Sequence, residues 1–373
     1  MSKQTLSGDS LPGRANVLPI AVDAMGSDKG PEVIVEGSVK AYKEFGAKSI
    51  LVGPKEDLEK ILSNLGASDL PIYVREANQV IEMHESAARS VRRKPDSSLC
   101  VAYEMLARKE VSAMLSAGNS GAMMVAGSLL CGLVPGIERP AIATLIPRPG
   151  DDKLNVILDS GANISCSAEN LIQFAVMGSI YYASLFDVDF PKVALLSNGT
   201  EESKGTDVVR AAAVTLKSLE LVNYIGFVEG RAATNNTSDV IVCDGYTGNV
   251  LLKTAEGAVR LVYEQLMYET RRGIFRKLGL GLFRGVLKEV FVNKFDYSAY
   301  GGAPLLGLNK LAFVLHGSSD ARAVRSAIKF AHSFAMNGMT EKIIQELAKL
   351  EDRLHGEEEI LTDGFAKDLI KRK

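Results

Sequence analysis

Residues Val193–Gly205 read VALLSNGTEESKG: four aliphatic residues without alternation, then a polar loop that closes on glycine. An unbroken apolar run of this kind marks a strand covered on both faces, the habit of parallel sheets. The same figure recurs in Leu18–Asp28 (LPIAVDAMGSD), Val111–Gly121 (VSAMLSAGNSG), Leu154–Asn163 (LNVILDSGAN), Asp239–Asn249 (DVIVCDGYTGN) and Leu311–Ser319 (LAFVLHGSS). In open α/β sheets the loops at the carboxyl ends of strands converge on the ligand crevice. Loops rich in Asp, Asn, Ser, Thr, Lys and His at those positions predict a site for a small anionic ligand.

Helical patterns alternate with these strands. Pro31–Phe45 reads as a helix, with proline in its first turn and Val33, Ile34, Val39 and Tyr42 along one side. A strand Ser49–Gly53, a helix Lys55–Leu65 and a strand Pro71–Val74 complete a βαβαβ opening, which implies a right-handed parallel arrangement. Further helices are predicted over Ser86–Arg93, Ser97–Lys109, Ser120–Cys131, Ala168–Leu185, Thr206–Leu221, Asn249–Thr270, Ser319–Asn337 and Thr340–His355. Further strands are predicted over Ala141–Ile146, Asn155–Leu158 and Tyr224–Val228. The expected organisation is a polar tail over residues 1–16, a single α/β/α domain over 17–338, and a C-terminal helix and tail over 339–373.

The 373 residues suffice for a sizeable core, and a net charge of −2 exerts no general pull toward nucleic acid. Cys100, Cys131, Cys166 and Cys243 are scattered without metal-ligand spacing, as expected of buried thiols in a reducing compartment. The tail lacks the apolar region of a signal peptide. Ala122–Val134, interrupted by Gly127, Ser128 and Gly132, falls short of the roughly 20 residues that span a bilayer.

One segment departs from the pattern. Arg271–Lys294 (RRGIFRKLGLGLFRGVLKEVFVNK) carries seven Lys or Arg against one acid, Glu289. Its apolar residues recur at helical spacing, which predicts a basic amphipathic tip over about 262–296. Arg271, Arg272, Phe275, Arg276, Lys277, Leu278, Phe283 and Arg284 would meet an anionic membrane surface or an acidic protein. An ordinary dimer-interface or core helix with solvated lysines fits the same pattern.

In SNGTEESKG, Lys204 can hold a phosphate or carbonyl oxygen, Asn198 and Thr200 offer donors, and Gly205 allows close backbone approach. In SAGNSG, Asn119, Ser120 and Gly121 precede a helix whose free N–H groups suit an anion, although a serine there also serves as a plain N-cap. Asp23, Gly26 and Ser27 end the first strand, and Asp159 and Asn163 end another; such carboxylates orient donors, take a proton or close Asx turns. Asp244, Thr247 and Asn249 form an anion cradle or a helix start, with Lys253 one turn further on. His316 stands at a strand end, where it transfers a proton or is structural. No GxxxxGK[ST], strand-linked GxGxxG, GxSxG or HExxH occurs, so nothing in the sequence signals a metal or a cofactor.

Taken together, AVDAMGSD, VRRKPDSS (91–98), SAGNSGA, GIERPA (136–141), LDSGAN, NGTEESKG, GFVEGR, DVIVCDGYTGNVLLKT, FDYSAYGGAPLLG (295–307) and HGSSD resemble the bacterial phosphate acyltransferase family, in family order. The departures are Ser27, where a second glycine is expected, and Ala232 and Ala299, where acids are expected. The resemblance implies conversion of acyl-[acyl carrier protein] and inorganic phosphate to acyl phosphate and free carrier protein, feeding phospholipid synthesis. It also implies a fold similar to isocitrate and isopropylmalate dehydrogenases, a homodimer, and peripheral attachment to the inner face of the bacterial membrane. There a glycerol-3-phosphate acyltransferase would take up the product. A phosphotransacetylase acting on short acyl-CoA, a dehydrogenase on the same fold, and a non-catalytic membrane scaffold are the competing readings.

Overall fold

The structure, a computed structural model, describes residues 18–150, 153–270, 273, 283, 285–287, 301–338, 341 and 343–346. Twelve strands form two sheets among the described residues. The first sheet has the order β3 (Ile72–Glu76), β2 (Ser49–Gly53), β1 (Ile20–Asp23), β4 (Ala113–Ser116), β12 (Ala312–Val314), β11 (Ala303–Leu306), β5 (Ala141–Ile142). Its first five strands run parallel, with Ile20 beside both Ser49 and Ala113, while β11 is antiparallel to both its neighbours. The second sheet runs β6 (Thr144–Pro147), β7 (Leu154–Leu158), β10 (Val240–Val242), β8 (Lys192–Leu196), β9 (Asn223–Val228), all parallel except β6.

The unbroken apolar runs are explained by burial on both faces. Ile20 and Val22 enter a large core shared with Leu158, Val193, Leu195 and Val240, whereas Ala21 joins a second cluster on the other face. Ile157, Ala194 and Ile241 belong to a third, on the outer face of the second sheet. The shared core also takes residues of α1 (Pro31–Phe45), α2 (Lys55–Asn64), α6 (Ala168–Phe186), α7 (Asp207–Ser218) and α9 (Ala321–Met336). Helices α4 (Ser98–Ala107) and α5 (Ser120–Leu130) contribute to the second cluster, and α8 (Gly245–Thr270) contributes Leu251 and Leu252 to the third. The short helix α3 (Ala87–Arg93) adds Val91 to the second cluster. Close packing needs small residues at crossings. A β-carbon on Gly37 of α1 would lie 2.5 Å from Val324 of α9, and one on Gly178 of α6 would lie 2.6 Å from Val240.

Two sequence expectations are corrected. Ala141–Ile146 is not one strand; it breaks at Ala143, so that β5 joins the first sheet and β6 the second. Helix α8 starts at Gly245, not at Asn249. Gly245 and Gly248, which read as loop glycines, are needed for contact: β-carbons there would lie 2.7 Å from the Asp159 carboxylate and 2.0 Å from the Asp159 carbonyl oxygen. Most of Arg271–Lys294, including Arg271, Arg272, Phe275, Arg276, Lys277, Leu278 and Arg284, lies outside the described residues, as do residues 1–16 and most of Thr340–His355. Phe283 and Val286 are described, and both are exposed. No helix among the described residues is long and apolar enough to cross a membrane.

Asp159, fully buried, joins the two sheets. One carboxylate oxygen accepts from the N–H groups of Ile142 in β5, Gly161 and Ala162, at 3.0, 3.1 and 3.0 Å. The other accepts from the Asn163 N–H at 2.6 Å and its side-chain Nδ2 at 3.0 Å. Burial raises the proton affinity of this carboxyl group, and the donors act against that rise. Asp159→Ala strands these buried donors. A destabilisation of about 3 kcal/mol or more is expected, read as a lower urea midpoint; an unchanged midpoint would remove Asp159 from this role.

Candidate functional site at the junction of the sheets

A cavity of about 290 Å³ opens where the chain passes from β5 to β6. Its floor is buried: Ile142, Ala143, Thr144 and Leu145 come from that crossing, Ser160 from the loop after β7, and Leu315 from the loop after β12. Its rim is more exposed and more polar. Asp28 comes from the loop after β1, Ser120 from the first turn of α5, and His316 from the loop after β12. Helix α8 contributes Asn249, Leu252, Lys253 and Glu256 along its side, while Ala323, in the first turn of α9, adds a buried wall. Lys253 is the one cationic side chain in this lining among the described residues.

The loops that carry the rim are tied to each other. Asp23 is buried, and burial pushes its carboxyl pKa up. It accepts from Ser116 Oγ at 2.7 Å, and Ser116 Oγ accepts from the Gly118 N–H at 3.0 Å, which sets the loop leading into α5. Gly26 and Gly118 meet so closely that a β-carbon on Gly26 would lie 2.6 Å from the Gly118 nitrogen. The departure at Ser27 is accommodated by hydrogen bonds. Its hydroxyl accepts from Lys29 N–H at 3.1 Å and donates to the Gly317 carbonyl at 3.3 Å, and the Asp28 N–H donates to the same carbonyl. Ser318 N–H donates to His316 Nδ1 at 3.2 Å, and the Ser318 hydroxyl lies 2.8 Å from the same nitrogen. Nδ1 as acceptor leaves the ring proton on Nε2.

Of the residues singled out from sequence, Ser120, Asn249 and His316 line the cavity. Several others hold loops. Asn119, not Ser120, caps α5: its Oδ1 accepts from Ala122 N–H at 3.0 Å, and its Nδ2 faces the carbonyls of Glu82, Met83 and Glu85 at 3.0–3.3 Å. Gly121 follows in the first turn, close to Ala87. Asn163 donates to Pro140 O and Asp159. Asp244 accepts from the N–H and the hydroxyl of Thr247, both at 2.8 Å, at the start of α8. Lys204, Asn198 and Thr200 are not in the lining; they sit in the loop after β8, and β8 lies next to β10, which leads into α8. There Asn198 Oδ1 accepts from the Gly205 N–H at 2.9 Å, while Glu202 of the same loop pairs with Lys217. Sequence reasoning underrated Lys253, whose position four residues after Asn249 places both on one helix face. It also missed Asp28, Thr144 and Ser160.

No thiol here is poised as a nucleophile. Burial pushes Cys131 and Cys166 up to about 11, so both are protonated near neutral pH. Among the described residues, no group of three or more His, Cys, Asp or Glu side chains is arranged to hold a metal ion.

Residues 18–342 match the family model described as fatty acid synthesis protein. The chain is 44% identical over 328 residues to the phosphate acyltransferase of Geotalea daltonii, covering 88% of this chain and 94% of the relative. It is 42% identical over 335 residues to that of Thermoanaerobacter pseudethanolicus, covering 90% and 99%. Among solved structures it is similar to a phosphotransacetylase from Streptococcus pyogenes, at a TM-score of 0.55 and 19% identity, covering 86% of this chain and 94% of that one. A phosphotransacetylase from Staphylococcus aureus gives 0.54 and 16%, covering 85% and 94%. At those identities the structural likeness speaks to the fold alone, and it agrees with the layered, largely parallel α/β arrangement. The sequence likeness goes further: this chain belongs to the phosphate acyltransferase family.

Proposed function

We propose that the protein is an acyltransferase that moves an acyl group from the thioester of an acyl carrier protein to inorganic phosphate, feeding phospholipid synthesis. Family membership over most of the chain carries this reading, and the cavity's division into an apolar floor and a polar rim supports it. A phosphate oxygen attacks the thioester carbonyl carbon. The new C–O bond forms, the C–S bond breaks, and the departing thiolate takes the proton that hydrogen phosphate gives up. Thiolate is a fair leaving group, since its parent thiol has a pKa of about 8.5, so positioning and charge stabilisation carry most of the catalysis.

In this reading Ser120, Asn249 and Lys253 hold phosphate at the rim, next to the N-terminal end of α5. Lys204, with Asn198 and Thr200, approaches from the neighbouring loop to stabilise phosphate or the tetrahedral oxyanion. His316 presents Nε2–H to the reacting groups. Asp23, Gly26, Ser27, Asn119, Gly121, Asp159, Asn163, Asp244 and Thr247 act by fixing the loops that carry these groups. Neither a metal nor a cofactor enters the scheme.

We further propose a cytoplasmic homodimer, peripherally bound to anionic lipid at the inner face of the membrane through the basic segment Arg271–Lys294, with a glycerol-3-phosphate acyltransferase as the recipient of product. The exposed Leu261, Val262, Leu266 and Tyr268 on α8, which leads into that segment, support an apolar contact there. The same arginines suit an acidic carrier protein.

Incubating the protein with phosphate and either palmitoyl carrier protein or acetyl-CoA tests the reaction. Acyl phosphate and free carrier thiol are expected from the first, and turnover of acetyl-CoA alone would favour a phosphotransacetylase. Lys204→Ala is expected to lower kcat about a hundredfold or more at an unchanged thermal midpoint; unaltered kcat would reject its role. Liposome flotation with Phe275, Leu278 and Phe283 changed to Glu should show lost binding to anionic vesicles, and full retention would take the tip off the membrane.

A further inference from the structure

The rim accounts for phosphate and thioester, but the floor of the cavity has another character. Ile142, Ala143, Leu145 and Leu315 are all buried, and Leu252 of α8 adds an aliphatic wall. Of the three buried hydroxyl residues in the lining, Ser319 belongs to the His316 loop, and the two beside the crossing, Thr144 and Ser160, are turned on each other. Thr144 Oγ1 and Ser160 Oγ are 2.6 Å apart, and Ser160 Oγ also donates to the Ile142 carbonyl at 3.2 Å. With Ser160 donating to that carbonyl, Thr144 donates to Ser160, and neither hydroxyl has a proton left for a ligand. An anion gains nothing from such walls and loses hydration against them.

We propose that this floor holds the acyl chain of the substrate, and that Ala143 and Leu252 set the chain length it accepts; the proposal rests on the acyl transfer argued above. Ala143 is fully buried where the chain leaves one sheet for the other, and its N–H is held by the Pro304 carbonyl at 3.0 Å. Ala143 packs with the shared core while lining the cavity, so a larger side chain there must crowd the walls beside it. Leu252 sits directly before Lys253, so α8 bounds the apolar wall and bears a rim cation in consecutive residues. The chain lies on the floor while its thioester meets the rim.

The test measures kcat/KM for palmitoyl and octanoyl carrier proteins, with phosphate, in the wild type, Ala143→Leu and Leu252→Ala. Each methylene in an apolar pocket is worth roughly tenfold or more in discrimination. Ala143→Leu should lower the palmitoyl-to-octanoyl ratio at least about tenfold, and Leu252→Ala should raise it. A ratio unaltered in both folded variants overturns the assignment. If Ala143→Leu does not fold, Leu252→Ala decides alone, an unaltered ratio again being fatal. A wild type that makes no acyl phosphate from either carrier would instead overturn the acyl transfer itself, and the assignment of the floor with it.

Discussion

The carboxylate of Asp159 is the constraint on which the rest of the site depends. Two oxygens gather donors from β5 of one sheet and from the loop after β7 of the other. Glycines at 245 and 248 bring α8 against the same residue. A buried charge is tolerable only when its lone pairs are satisfied, and here the satisfying groups belong to different layers of the fold. Breaking the arrangement would strand backbone donors from both sheets, so the junction is held by hydrogen-bond geometry as well as by packing. The cavity is the space left beside this junction.

That origin explains the cavity's two characters. Its floor is the crossing segment itself, which must be apolar because it passes between two sheets with cores on either side. Its rim consists of loops and helix sides that reach solvent, where polar groups cost little. An amphipathic ligand, with a hydrocarbon part and an anionic part, matches both surfaces at once. Most of the conspicuous polar residues in the strand-end loops are consumed in building the rim. The chain from Asp23 through Ser116 to Gly118, and the Asn119 cap, place Ser120 at the rim, although Asp23, Ser116 and Asn119 do not line the cavity themselves.

The layered α/β fold was legible because two-faced burial demands unbroken apolar strands, and such runs are visible without any tertiary information. Helix α1 and strand β2 fall on the residues expected. The division into two sheets was not legible, since AIATLI reads as one uncharged run and the break at Ala143 answers to the partner strands, not to local propensity. Glycines misled in a similar way. At 245 and 248 they are demanded by close approach to Asp159, yet in sequence they look like a loop. Asn119 and Asn163 read in sequence as donors to a ligand; in the fold their amides donate to protein carbonyls and, for Asn163, also to the Asp159 carboxylate, which one-dimensional reading does not reveal. Lys253 was quiet for the opposite reason: a lysine inside a helix is ordinary until its neighbours show which face meets the cavity.

Helix α8 carries this logic from the junction to the surface. It begins against Asp159, passes the cavity with Asn249, Leu252, Lys253 and Glu256, and continues to Thr270. At 1.5 Å per residue, Lys253 and Tyr268 are separated by about 22 Å along one rigid element. Over that length its surroundings change from buried backbone to the cavity, and Leu261, Leu266 and Tyr268 are exposed in its outer turns. Its first turns are fixed by their close approach to Asp159, and continuous helical hydrogen bonding carries that placement outward. The hydrogen bonds that close the junction therefore also fix where the apolar outer turns are displayed, and the site and that surface share one mechanical origin.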